Sequence, residues 1–345
     1  MSRTTPPRPF DVTALFPRLA PLARTATRLH PRPGSPSPHE SSVGGPLLWP
    51  AGEPWPHCPD PHPWEQVDAA FDLAEERADR GIPAGAPHQD PEAHEAGERA
   101  PEDLADAGLP GPGGPIAMLP VAQLHARDVP LLPLLRPPGR AGADLLQVLW
   151  CPFDHPATAH PRTALFWRSA AEVADVLDAP PEPPAVEYPG YLPQPCLLAP
   201  DEVVEYPHFM ELDEELRQEL ADWSRWQAAA PDPSYADAPQ DLYVSTLSVS
   251  PGWKAGGWSR WGLTDPVPRA CAVCGTAMDP LLTVASTEWN SGTRSWVPAG
   301  EGARAPLPPG VPPGNYTRID LARGYDLQLH VCPVSADHPH LELIQ

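Results

Sequence analysis

The chain has 345 residues, 55 of them proline, and a formal charge of −22. At roughly three times ordinary proline usage, regular elements must be short and loops long, because proline neither donates to a ladder nor sits inside a helix. The charge argues against nucleic acid and against an anionic membrane surface, since both call for clustered Lys and Arg, and no run approaches the roughly 20 apolar residues of a membrane span.

Other counts narrow the class further. Hydrophobic residues make up 41% of the chain and 12 residues are Trp, more apolar bulk than a disordered chain carries. Lys254 is the one lysine, which argues against Schiff-base chemistry. Met1–Arg32 lacks an uninterrupted apolar stretch, so no signal peptide is expected. A cytoplasmic protein with its six cysteines reduced is the corresponding expectation.

In chain order, residues 1–40 form a proline-rich lead with a helix expected over Leu19–Leu29, entered at Pro21. A first β-rich copy follows over 41–210. It contains an acidic insert, 65–113, at whose start Trp64, Val67, Phe71, Ala74 and Ala78 fall at helical spacing. Short segments rich in Val, Leu and Thr predict strands at 117–123, 163–168 and 202–206. Leu212, Leu216, Leu220 and Trp223 predict a connecting helix within 211–240. A second β-rich copy over 241–345 has expected strands at 242–249, 281–287 and 341–344.

The two halves repeat one another. Ser42-Val43-Gly44-Gly45, Trp49, Trp55 and Cys58 parallel Lys254-Ala255-Gly256-Gly257, Trp258, Trp261 and Cys271. Met118–Ala122 parallels Leu281–Ala285, and Leu146–Pro152 parallels Leu327–Pro333. Asp154-His155-Pro156 recurs as Asp337-His338-Pro339. Four matches in one order imply duplication of a small β unit, with a few peripheral helices: a β-rich α+β fold. In the last strand pair, Leu146, Val148 and Trp150 share one face with their counterparts Leu327, Leu329 and Val331. That face is apolar and the other mixed, the pattern of a strand packed on one side.

These segments resemble the YwqG-like family of bacterial proteins, a domain of unknown function, in its actinobacterial form. The features are Gly-Gly with downstream Trp and Pro, a Leu-rich strand, and a strand ending in Cys-Pro. The resemblance covers the chain from about Ser42 onward. It implies a duplicated β-rich fold, a cytoplasmic protein and, by association with toxin–immunity genes, a protein-binding role. The departure lies at Cys58, where family members often carry a second Cys pair and this chain has His57 and His62 as flanks.

Cys271-Ala272-Val273-Cys274-Gly275 is the sharpest local motif. Two thiolates at this spacing bind one side of a tetrahedral zinc, and the glycine eases the turn. Cys332, His330, His338 and His340 are the candidate completers, Cys332 and His338 being taken first, with Cys58 and His62 as more distant options; the alternative is a reduced Cys pair packed in a turn. Histidines in polar, proline-rich loops are expected at the surface. Gly44, Gly45, Gly256 and Gly257 fit turns that need positive φ, since phosphate-loop, dinucleotide and nucleophile-elbow patterns are absent. Trp49, Trp55, Trp258 and Trp261 are expected in the core, or, if exposed together, on a protein-binding patch. Lys254 and Glu288 complete the candidate binding residues. The reading is a non-enzymatic binding protein whose partner is another, basic protein. Its alternatives are an enzyme or small-molecule binder with a pocket between the copies, and a structural zinc-stabilised module.

Overall fold

Short strands divided by proline-rich loops build two six-stranded antiparallel sheets, giving a β-rich α+β fold. The structure is a computed structural model and describes residues 4–60, 62, 70–82, 115–229, 233–300 and 311–345. From edge to edge the first sheet runs β2 (Arg32–Pro33), β11 (Cys196–Leu197), β3 (Ser42–Val43), β7 (Leu119–His125), β8 (Leu145–Asp154) and β9 (Pro161–Arg168). The second runs β12 (Asp201–Glu205), β1 (Arg24–Arg28), β13 (Lys254–Gly256), β14 (Asp279–Val284), β15 (Leu327–Val331) and β16 (Leu341–Ile344). Two small ribbons pair β4 (His57–Cys58) with β6 (Ile116–Ala117), and β5 (Phe71–Asp72) with β10 (Ala185–Val186).

The two sheets share local details. The β7–β8 ladder slips between Pro120 and Ala122, and the β14–β15 ladder between Pro280 and Leu282. Each slip falls at a proline, which has no N–H to give the ladder. In each sheet a central-strand glutamine ties down a loop carbonyl: Gln147 Nε2 donates to Leu48 O at 3.0 Å, and Gln328 Nε2 to Arg260 O at 2.6 Å.

The facing sides of both sheets bury into one apolar core. Leu146, Val148 and Trp150 of the first sheet lie in it together with Ala255, Leu282 and Leu329 of the second. The opposite side of β8 is not solvated: Leu149, Cys151 and Phe153 pack under Leu47, Trp49, Trp55 and Cys58. The alternation predicted for β8 and β15 therefore holds, but both strands are buried on both faces; over β8 the loop carrying Trp49 and Trp55 covers the mixed face. A helical layer covers a third region, where Val12, Phe16 and Leu19 meet Leu216, Leu220, Trp226 and Tyr243.

Three predicted elements differ. The helix expected over Leu19–Leu29 is a 3-10 turn, Pro17–Leu22, followed by β1. Arg24–Arg28 instead fills the gap between β12 and β13, where it is paired on both sides, and those ladders outweigh its helical spacing. The segment 242–249 is helical, a short helix Pro239–Leu242 running into a π-type turn Tyr243–Leu247. Leu242, Tyr243 and Leu247 point into the helical layer, and Tyr243 Oη donates to Pro207 O at 2.7 Å. In the acidic insert, Trp64 and Val67 lie outside the described residues, and Phe71 is in β5. The helix runs Leu73–Arg80, capped by the Asp72 side chain on the Ala74 and Glu75 N–H groups. The connecting helix is Glu214–Ala221, capped by Asp213.

The sheet–loop junction of the second half buries a carboxyl. Asp326 accepts from Ser286 N, and its pKa is pushed up to about 7 by burial, against the pull of Arg260. An acid raised this way stabilises the fold when protonated, so its contribution is full below about pH 4 and is lost as pH rises through about 7. An Asp326→Asn variant is expected to gain about 2 kcal/mol relative to wild type between pH 5 and pH 7. Urea denaturation of both proteins at the two pH values measures it; a constant difference would contradict the raised pKa.

Candidate metal centres

Two Cys/His groups stand one behind each β7/β8-type hairpin. The first comprises Cys58, His62, Cys151 and His155, the second Cys271, Cys274, Cys332 and His338, and in each the ligand atoms lie within 4.8 Å of one another.

The backbone delivers them in the same way. In the first group Cys58 sits on β4, held by pairing of His57 with Ala117 and Cys58 with Ile116. His62 follows in the connecting loop. Cys151 lies near the end of β8, and His155 is the residue after that strand. In the second group Ala270 bridges to Ala277 and the turn between them carries Cys271 and Cys274. That turn is closed by Cys271 N to Thr276 O at 2.9 Å and Gly275 N to Cys271 O at 2.8 Å. Cys332 follows β15 directly, and His338 lies in the turn before β16. The two knuckles differ in length: His57 and Ala117 are 60 positions apart, against seven for Ala270 and Ala277. In the sequence, the acidic insert therefore falls between β4 and β6.

The spacings fit a tetrahedral ion. Zinc bonds of about 2.3 Å to sulfur and about 2.0 Å to nitrogen put neighbouring ligand atoms roughly 3.3–3.8 Å apart. Cys58 Sγ is 3.3 Å from His155 Nε2, and Cys151 Sγ is 3.2 Å from His62 Nε2. Cys274 Sγ is 3.6 Å from Cys332 Sγ, which is 3.3 Å from His338 Nδ1. Cys271 Sγ is 3.5 Å from the same His338 nitrogen.

Electrostatics favour a cation at both places. The Cys58 thiol is held far below its ordinary range by hydrogen bonds from Cys151, His155 and His62. Cys151 is pushed up by burial and by the Cys58 thiolate beside it. Burial alone would lower His155, yet the Cys58 thiolate raises it. In the second group Cys274 is lowered to about 6, chiefly by hydrogen bonds from Thr276, while burial raises Cys332. Backbone groups two positions on also serve the sulfurs: Asp60 for Cys58, Phe153 for Cys151, Thr276 for Cys274 and Val334 for Cys332. One thiol of each pair thus favours the thiolate while its neighbour resists a second negative charge. A divalent ion removes that conflict and lets all the thiols ionise.

The second group is the set expected from the sequence, brought together in full. The first was not foreseen as a site. From the sequence Cys58 and His62 are further options for the second group, and nothing marks Cys151 as a ligand. The sequence parallels between the halves carry the signal, since they set Cys58, Cys151 and His155 against three ligands of the second group. The expectation of surface histidines is corrected here too: His30, His62, His125, His155, His160, His208 and His330 are buried. Several meet partners distant in sequence, such as Ser259 Oγ on His330 Nε2 at 3.0 Å. His94, together with Glu95 and Glu98, lies outside the described residues.

The candidate binding residues serve structure in several places. Positive φ occurs at Gly44, Gly256 and Gly257 but not at Gly45, where a Cβ would lie 2.5 Å from Pro36 Cγ. Gly257 is the tightest: a Cβ there would lie 2.3 Å from Glu205 Oε2. Trp49, Trp55 and Trp261 are buried and Trp258 is half-buried, its Nε1 donating to Leu22 O at 3.0 Å. Lys254 Nζ donates to both Glu205 carboxylate oxygens, at 2.7 and 2.8 Å. Glu288 is buried beside Arg28 and His30 and accepts from Trp253 N at 2.8 Å. Burial would raise it, but His30 and Arg28 hold it below the usual carboxylate range.

A polar cavity of about 330 Å³ lies between the two sheets' edges, against the second Cys/His group. Arg168 and Trp167 of β9 line one side, with Cys332, His338 and His340 on the other. None of the ten candidate binding residues lines it. No helix among the described residues is long and apolar enough to cross a membrane. The chain matches no protein-family model and no curated protein sequence.

Proposed function

We propose that this is a zinc-stabilised scaffold built from two copies of one β unit, each copy closing its own structural zinc site. The observation that carries the reading is the recurrence of four ligand atoms within 4.8 Å at equivalent places in both halves. Cys58 corresponds to Cys271, His62 to Cys274, Cys151 to Cys332 and His155 to His338. The shared ladder slips and glutamine ties support the duplication, and the resemblance to the YwqG-like family belongs to the same reading. Four protein ligands leave no open coordination position, which is the arrangement of a structural rather than a hydrolytic zinc. The scaffold's work is therefore read as non-enzymatic binding in the cytoplasm. A basic protein is the partner that best suits a charge of −22.

Elemental analysis of the untagged protein is expected to find two zinc ions per chain, both removable by a strong chelator with loss of thermal stability. Zinc-free protein of unchanged stability would sink the reading. A second reading keeps a small ligand in the cavity between the copies, favoured by the placing of Arg140, Arg168 and His340 around it. Thermal-shift measurement against small anions tests that reading.

A further inference from the structure

The two Cys/His groups differ in one respect that bears on their chemistry. In the first, both thiols and both imidazoles are buried, and the two cysteines are no more than 1% exposed. Each sulfur there has an imidazole nitrogen as its near neighbour. Phe153 packs its ring 5.4 Å from that of His62. In the second, three thiols share one histidine, Cys274 is exposed, and its Sγ lies 3.6 Å from that of Cys332. Solvent reaches this knuckle on both sides: the flanking Val273 and Val334 are 64% and 53% exposed.

We propose that the second group is an oxidisable zinc site, in which hydrogen peroxide joins Cys274 to Cys332 as a disulfide and releases the metal, while the first group keeps its zinc. This rests on the zinc reading of both groups. The Cys274 thiolate attacks one peroxide oxygen, the O–O bond breaks, and the departing hydroxide takes a proton to become water. Cys274 is then a sulfenic acid. The Cys332 thiolate attacks its sulfur, the S–O bond breaks, and a second hydroxide leaves as water. Two thiolates, one peroxide and two protons give one disulfide and two waters, the sulfurs supplying two electrons. The sulfurs must close from 3.6 Å to the disulfide length of about 2.05 Å, a movement the exposed turn at Val273–Gly275 can supply. Cys271 and His338 alone then face the ion, and two ligands do not retain zinc against solvent. At the first group, oxidant access requires opening the packing around β8, so its thiolates are shielded.

The test uses the wild-type protein loaded to two zinc ions, treated with hydrogen peroxide in the presence of a zinc-sensitive dye. One zinc per chain is expected to be released at least tenfold faster than the other. Titratable thiols should fall from six to four, with peptide mapping placing the disulfide at Cys274–Cys332 and reductant plus zinc restoring the start. Release of both ions at one rate, of neither, or release without a disulfide would overturn the proposal. A protein that binds no zinc before peroxide is added would overturn the zinc reading itself, and the measured starting stoichiometry separates the two failures. A Cys274→Ser variant should hold one zinc and show no fast phase. A His155→Ala variant should keep the fast phase and lose the slow one. If either variant fails to fold, the wild-type kinetics and mapping still decide.

Discussion

A Cys151→Ser variant is expected to bind one zinc ion in place of two and to lose more than about 4 kcal/mol of stability, a range reached when a metal site is removed rather than a side chain trimmed. Cys151 is the ligand most deeply set in the fold, fully buried within β8 and packed with Leu149, Phe153 and Trp55 in the layer that covers the first sheet. Its loss leaves Cys58, His62 and His155 gathered with no ion to relieve them. The segment that bears Cys58 would then keep the β4–β6 ribbon, two residue pairs long, and the Gln147 tie to Leu48 O, but lose the link from Cys58 to β8. A buried, partly charged triad with no counter-ion also costs free energy outright. The control is Cys196→Ser: Cys196 is equally buried but belongs to neither group, its thiol lying 3.4 Å from Tyr316 O. That variant should keep both zinc ions and lose about 1 kcal/mol. Metal content and thermal melts of the three proteins measure this. Two zinc ions in Cys151→Ser, or equal losses in the two variants, would remove the first site.

Much of this arrangement was legible in the residue order, for identifiable reasons. The second group announced itself because its first two ligands are close in sequence and its last two follow a Cys-Pro strand end. The first group was hidden because its second ligand is a histidine, His62, placed four residues after Cys58 at the mouth of a long insert. Three of its ligands nonetheless occupy matching places in the sequence parallels between the halves, whereas His62 stands where the second half has Cys274. The strands β8, β15 and β16 are readable because their Leu-rich alternation agrees with their pairing. Arg24–Arg28 was not, because its place between β12 and β13 is decided by partners more than 170 positions away. The segment around Tyr243 misled for a related reason. Its Val and Thr content suits a strand, but the buried face of the helical layer takes Leu242, Tyr243 and Leu247. Histidine burial was likewise set by distant neighbours: His155 is buried by its contact with Cys58, not by any property of Asp154-His155-Pro156.

The largest effect expected away from the metal groups lies at the ion pair between β12 and β13. Lys254 and Glu205 are buried, with Nζ 2.7 Å from Glu205 Oε2. Nζ also donates to Trp258 O at 2.7 Å. Glu205 in turn accepts from Ser250 N and Oγ and from Trp258 N. The two ends are thus unequal. Glu205 without Lys254 would still face three donors, whereas Lys254 without the carboxylate charge would keep only neutral acceptors. Removing one partner of a buried pair costs about 3–5 kcal/mol. Glu205→Gln is expected at the top of that range and Lys254→Met below it. The double variant should be more stable than Glu205→Gln alone, giving a coupling energy of about 2 kcal/mol or more. Burial already lowers the Lys254 pKa, and Glu205 opposes that lowering. In Glu205→Gln the folded-state pKa falls further below the unfolded value, so protons bind the unfolded chain more tightly. The deficit of this variant should therefore shrink as pH rises from 7 to 10. Chemical denaturation of the four proteins across that window tests both points. Equal costs for the single variants, or a deficit that grows with pH, would show that the pair is held by its hydrogen bonds and not by its charge.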